Sequence, residues 1–233
     1  VEVALAPHTE AEVIAANHGL ITSNLPIGAI NAERRKLSAI KGGKLRARGR
    51  GVTLVYSDVA TGHPADVASG PASPPYTVIA DNSTLVHAAA RLVDRPVVIE
   101  EQIESDVTEA AKFLAERAKR LKPGETLIAG GEPTVTKRGD GRGGRCIELA
   151  VRFALEAEGS GLSALFGSSD GVDGNSGAAG VSIGRVPDRL DRRQITAALG
   201  RSDSMSVVTQ IGEPIMIAPA GNNLRDLFLV AHD

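Results

Sequence analysis

The sequence is short of several things. A single cysteine, Cys146, stands among 233 residues, so neither a disulfide framework nor a cysteine-based metal site can form within the chain. Tryptophan is absent and aromatic residues make up 3%, too few for a base-stacking platform. The formal net charge is −2, which excludes a broadly basic, nucleic-acid-binding surface. No apolar run reaches the roughly 20 residues of a membrane span. The histidines (His8, His18, His63, His87 and His232) show no ligand-like spacing. The opening VEVALAPHTEAEV is acidic and lacks a signal-peptide pattern, so a cytoplasmic protein is expected. A first residue other than Met leads us to expect a fragment or a processed product.

What is present is a globular composition, 42% hydrophobic and 23% charged, with enough chain for one large or two small domains. Helices are expected over 9–17, ending at Gly19, and over 31–41, with Asn31 as N-cap and Gly42-Gly43 as stop. A strand is expected at 52–57, then a turn-rich segment, TGHPADVASGPASPPY, then a helix over 82–93. The clearest periodicity runs from Ile103 to Leu121 and predicts a long amphipathic helix. Strands at 126–129 and 134–136, a helix from Ile147 to near Gly159, and strands at 162–166 and 181–183 follow. Helices over 189–199 and 203–210 precede strands at 215–217 and 226–230. Strands alternating with helices predict an α/β fold, with a layered mixed or mainly parallel sheet flanked by helices and a smaller N-terminal lobe. Ligands in such folds bind at the C-terminal strand edges.

The segment RGDGRGGR packs four glycines and three arginines into residues 138–145, ahead of a helix. Glycines let backbone N–H groups crowd an anion, the helix offers its first-turn N–H groups, and Arg142 and Arg145 offer bidentate contacts. A phosphate cradle, centred on Gly141, Gly143 and Gly144, and a mobile surface turn are both compatible with the pattern. It is neither a Walker A loop nor a dinucleotide fingerprint. Asp170 and Asp173, in SSDGVDGNSG after a strand, suit either Mg²⁺ or turn capping. Asp58 ends a strand, Glu132 lies in GGEPT, and Asn222 in PAGNN offers an amide. Arg34 and Lys41, seven residues apart, would share a helix face. Cys146 heads a helix, but no sequence signal supplies it with a base.

Several motifs together resemble the glycerate 2-kinase family. GGEPTVTKRGDGRGGRCIELA is similar to that family's GGETTVTVRGxGRGGRNQELA, and SSDGVDGNSGAAG to GTDGxDGPTDAAG. RRKLSAIKGGKL resembles RKHLSAIKGGRL, SDVATGHPADVASGP resembles SDVxGDDPxxIASGP, and PAGNNLRDL resembles TGTNVxDL. The motifs keep the family's order and cover most of residues 31–229. The resemblance implies ATP-dependent phosphorylation of D-glycerate at its 2-hydroxyl, with Mg²⁺. It also implies residues 1–100 as part of the family's N-terminal domain and 101–233 as a C-terminal α/β MOFRL-like domain. Arg142, Arg145, Asp58, Glu132 and Lys41 would be catalytic. Arg34, Gly141, Gly143, Gly144, Glu148 and Asn222 would bind substrate or phosphate, and Asp170 and Asp173 the metal.

The sequence departs from the pattern at Cys146-Ile147 (Asn-Gln in the family), at Thr61-Gly62-His63-Pro64 (GDDP) and at Gly177 (Asp). It also lacks the family's Gly-rich segment and catalytic lysine. The expected partners are a small-molecule substrate and either a separate chain supplying that domain or a second copy. The alternatives are a diverged non-kinase that binds a small phosphorylated or carboxylated ligand, or serves as a subunit, and a hydroxy-acid oxidoreductase. No strand–GxGxxG–helix unit speaks for the last.

Overall fold

The computed structural model describes residues 3–23, 25, 27–45, 51–59, 67, 70 and 74–232. The contacts divide the chain into two compact units, Val1–Ile79 and Ala80–Asp233. The reading of Thr61-Gly62-His63-Pro64 lies outside the described residues.

In the first unit, helix α1 (Glu10–Ile21) opens on a capping box: the Glu12 N–H donates to Thr9 Oγ1, and the Thr9 N–H to Glu12 Oε2. The helix runs through Gly19, the expected end, and is closed by Thr22, whose N–H and hydroxyl both reach the His18 carbonyl. Helix α2 (Ile27–Leu37) places Asn31 inside the helix, so the expected N-cap is corrected. It stops at Ser38, before the glycines, because the Ser38 hydroxyl accepts the N–H groups of Ile40 and Lys41 and turns the chain. Lys44 Nζ donates to the Arg35 and Ser38 carbonyls at that helix end. Strands β1 (Thr53–Tyr56) and β2 (Tyr76–Ala80) form a two-stranded sheet. Among the described residues, Val13, Ile30 and Val55 are the apolar side chains buried in this unit.

The second unit holds α3 (Asn82–Ala90), β3 (Pro96–Val98), α4 (Val107–Ala118), β4 (Thr126–Gly131), α5 (Arg145–Glu156), β5 (Ser163–Ser168), β6 (Gly180–Ile183), α6 (Arg192–Leu199), a 3₁₀ helix (Ser204–Gln210), β7 (Glu213–Ile215) and β8 (Asp226–Ala231). Six strands form one sheet in the order β3-β4-β8-β5-β6-β7. Among the described strand pairs of this sheet, β3 and β4 run parallel and the others antiparallel, so the sheet is mixed. The chain passes from β4 through α5 to β5, and these two strands run the same way. The C-terminal strand β8 enters between them in the opposite sense.

The core lies where α4 and α5 cover the sheet. Leu114, Ile147, Leu149, Phe153, Phe166 and Phe228 are fully buried there, and Phe166 meets Phe153 and Phe228 at centroid distances of 5.2 and 5.9 Å. Helix α4 is shorter than the periodicity suggests. Asp106 caps it by accepting the Thr108 N–H at 2.8 Å, while Ile103 pairs in parallel with Gly131 instead. Of the expected strand 134–136, only Thr134 pairs, through an isolated bridge to Asp106.

Candidate functional site

The sheet register builds one edge from three strand ends. Asp226, the first residue of β8, lies opposite Gly131 at the end of β4 and Ser168 at the end of β5. Glu132 directly follows Gly131, Arg225 directly precedes Asp226, Asp170 lies two residues past Ser168, and α5 begins with Arg145. A ladder of alternating charges results. Arg145 grips the fully buried Asp226 with two hydrogen bonds, of 2.6 and 3.1 Å, and reaches Glu132 Oε1 at 2.9 Å. The other Glu132 oxygen accepts from Arg225 Nε at 3.0 Å, and Arg225 Nη1 continues to Glu104 Oε1 (2.6 Å) and Gln102 Oε1 (2.7 Å). Arg225 is buried and left-handed, at φ +68°, a conformation that costs a non-glycine residue about 1–2 kcal/mol. Asn223 Oδ1 supports it by accepting the Arg225 N–H at 2.6 Å.

Burial opposes the charge of Arg145, but its hydrogen bonds and attraction to Asp226, then Glu132, outweigh this and raise its pKa. Burial pushes the Asp226 carboxyl up, against the pull of Arg145.

The glycine-arginine loop ends against a second buried acid. Asp173 accepts the N–H of Cys146 (3.0 Å) with one oxygen and that of Ile147 (2.9 Å) with the other. The expectation that these first-turn donors are open to an outside anion is therefore corrected: the chain's own carboxylate takes both. Burial raises the Asp173 pKa to about 6, with the two N–H groups pulling it down. Burial likewise pushes the Cys146 thiol up. The Cys146 and Ile147 side chains are sealed in the core, so only their backbone faces the loop.

The loop itself is stitched down rather than loose. The Arg142 N–H donates to Asp203 Oδ1 (3.0 Å), the Gly143 N–H to Asn175 Oδ1 (2.8 Å), and Asn175 Nδ2 to the Gly141 carbonyl (3.2 Å). The glycines allow this closeness, because a Cβ at Gly144 would overlap the Asp173 carboxylate. Gly141, Gly143, Gly144, Lys137, Glu148 and Asn175 border one open cleft. Asp170, Val172, Asn222 and Asn223 border another.

Two of the loop's arginines, Arg142 and Arg145, differ. Arg145 is held by acids, whereas exposed Arg142 donates from Nη2 to the Ser176 carbonyl at 2.6 Å. A Cβ on Gly177 would lie 3.2 Å from that same Nη2, so the aspartate of the resembled pattern would stand beside Arg142. Glu148 is buried and paired with Arg152, at 2.7 and 3.1 Å. Asp170 Oδ1 accepts from the Ser168 hydroxyl and the Val172 N–H, both at 2.8 Å. Asn222 is exposed.

In the first unit, Arg34 Nε donates to Asn17 Oδ1 at 3.1 Å, and Asp58 is exposed just past β1. Lys41 lies in the turn after α2, so the expected shared helix face with Arg34 is corrected. Among the described residues, no group of three or more His, Cys, Asp or Glu side chains is arranged to hold a metal ion. No helix there is long and apolar enough to cross a membrane. Sequence reasoning missed Arg225, Asp226, Glu104 and Gln102. An Arg-Asp pair opening the alternating strand DLFLVA was the available signal.

Residues 2–128 match a domain of unknown function, DUF4147, and residues 125–226 match the MOFRL family. The chain belongs to the glycerate-kinase/MOFRL family. Within that family it is similar to a D-glycerate 2-kinase of Thermotoga maritima, at 26% identity over 94% of this chain and 66% of that protein. It is also similar to a putative hydroxypyruvate reductase of Agrobacterium vitis, at 27% identity, and spans 91% of itself but 63% of that relative's length. A crystal structure of glycerate kinase from Thermotoga maritima superposes with a TM-score of 0.85 at 25% identity, covering 100% of this chain and 70% of that one. The glycerate-kinase-like fold thus extends through both units of this chain.

Proposed function

We propose that this chain serves ATP-dependent phosphoryl transfer to D-glycerate, giving 2-phosphoglycerate, together with polypeptide equivalent to what its longer relatives possess. The observation that carries the reading is the charged ladder at the shared end of β4, β5 and β8, beside a cleft bordered by glycines and Lys137. Phosphoryl transfer asks a protein mainly for positioning and for stabilisation of charge on the transferred group.

In this reading Arg142, with guanidinium N–H groups beyond its Ser176 bond, and Lys137 face phosphoryl oxygens. Glu132, held from both sides by arginines, orients the substrate hydroxyl. Arg145 keeps Glu132 and Asp226 in place. Mg²⁺ binds by one or two carboxylates while keeping several waters. Asp170, in an open cleft beside Asn222, fits that role, whereas both Asp173 oxygens already accept backbone N–H groups. The metal would neutralise charge on the transferred phosphoryl group. Arg34, Lys41 and Asp58, in the first unit, enter the reading only through the motifs they share with the glycerate 2-kinase pattern.

A coupled assay of ADP release with D-glycerate, ATP and Mg²⁺ tests this. Turnover that needs all three is expected once the folded chain is combined with the N-terminal polypeptide of a longer relative, and absence of turnover from that combination would overturn the reading. The departure at Gly177 favours a second reading, a family member that binds 2-phosphoglycerate-like ligands without transfer. Calorimetric binding of 2-phosphoglycerate without ATP turnover would select it.

A further inference from the structure

On the α3 side of the sheet, a small pocket lies next to the ladder. Asn82, Ser83, His87, Glu100, Gln102 and Gly130 are on its wall, and it is just large enough for one water molecule. Asn82 is 1% exposed. Its Nδ2 donates to the carbonyls of Leu224 (2.8 Å) and Asp226 (3.0 Å), which fixes which way the amide points. Its Oδ1 is thereby turned toward Gly130, where a Cβ would collide with it, and has no hydrogen-bond partner. A buried carbonyl oxygen in that position calls for a donor.

The mouth of the pocket supplies a means to hold one. His87 Nδ1 lies 2.9 Å from the Ser83 carbonyl, which can only accept, so in the neutral ring Nδ1 carries the proton and Nε2 presents its lone pair. Metal-ligating histidines are oriented in this way, by a backbone carbonyl on the other ring nitrogen. Nε2 faces Glu100 Oε1 at 3.5 Å. A tetrahedral ion with bonds of about 2.0–2.1 Å keeps two of its ligand atoms about 3.4 Å apart. Imidazole with carboxylate suits a Zn²⁺-like divalent ion.

We propose that His87 Nε2 and Glu100 bind such an ion at the mouth, and that a water on the ion fills the pocket and donates to Asn82 Oδ1. Two protein ligands make an open, exchangeable site rather than a closed structural one. Sequence spacing does not reveal it, because one ligand lies on α3 and the other just past β3. The ion would tie α3 to the segment carrying Gln102, whose Oε1 supports Arg225, and so brace the ladder. The site stands apart from the phosphoryl-transfer reading and does not depend on it.

The test is calorimetric titration of ZnCl₂ into the untagged full chain, with Co²⁺ absorption as a second readout. One ion per chain is expected, with a visible cobalt band. His87→Ala and Glu100→Gln should each weaken binding at least about tenfold and abolish the band. The two side chains are 48% and 70% exposed, so both variants should keep the wild-type fold, as circular dichroism would verify. No zinc binding by the wild type, or undiminished affinity in folded His87→Ala, which keeps the other histidines, would overturn the proposal.

Discussion

Two arginines three residues apart in one loop have opposite surroundings. Arg145 lies on the inner side, where Asp226 and Glu132 engage all three of its guanidinium nitrogens. Arg142 lies on the outer side, exposed, with the Ser176 carbonyl accepting from its side chain. Residue type and spacing are alike for both. The difference teaches that an arginine-glycine loop divides its charges: one group holds the loop to the sheet, and the other stays in solvent.

The sharpest way to break this comparison is to remove the inner acid. Asp226→Ala leaves a largely buried Arg145 without its main partner and should cost about 3–5 kcal/mol in urea unfolding. A loss under about 1 kcal/mol would mean that the inner arginine is no more tied than the outer one.

The next effect is pH-dependent. The Asp173 pKa is raised to about 6, above the roughly 3.9 of an unfolded chain, so the folded state binds this proton more tightly. Its contribution is fully present below about pH 4 and is lost as pH rises through about 6, a change on the order of 2–3 kcal/mol. Asp173→Asn should flatten the stability profile in that window, and an unchanged slope would assign it to another group.

Gly144→Ala should cost about 1–3 kcal/mol, because the added methyl displaces the Asp173 carboxylate from the end of α5. Thermal unfolding reads this directly. The smallest stability effect belongs to the outer side: Arg142→Ala should change unfolding by no more than about 0.5 kcal/mol. The same substitution should weaken 2-phosphoglycerate binding about 10- to 100-fold by calorimetry, as expected for a charge-assisted hydrogen bond. Equal affinity in the two proteins would remove Arg142 from the ligand site.

Much of the fold was legible in the amino-acid pattern. The spacing of Val107, Ala110, Ala111 and Leu114 announces α4, and the run from Ile147 to Leu155 announces α5, because one apolar stripe must face a core. Helix ends were read less well. Ser38 stops α2 and Asp106 starts α4 through side-chain hydrogen bonds that compete with hydrophobic periodicity. The candidate site was legible as residue types clustered after strands, but not as pairings. Glu132 with Arg225 and Arg145 with Asp226 are contacts between residues 93 and 81 positions apart. No local pattern encodes them.

The sequence by itself determined the alternation of strands and helices, the family motifs, and which loops carry the charge. Those follow from local periodicity and from side-chain chemistry. The tertiary structure alone decided that β8 enters between β4 and β5, in the sense opposite to both. That insertion sets Asp226 against Arg145, and the return of the loop after β5 sets Asp173 under α5. Burial then makes an inward-facing arginine a strut, whereas the outward-facing one stays in solvent.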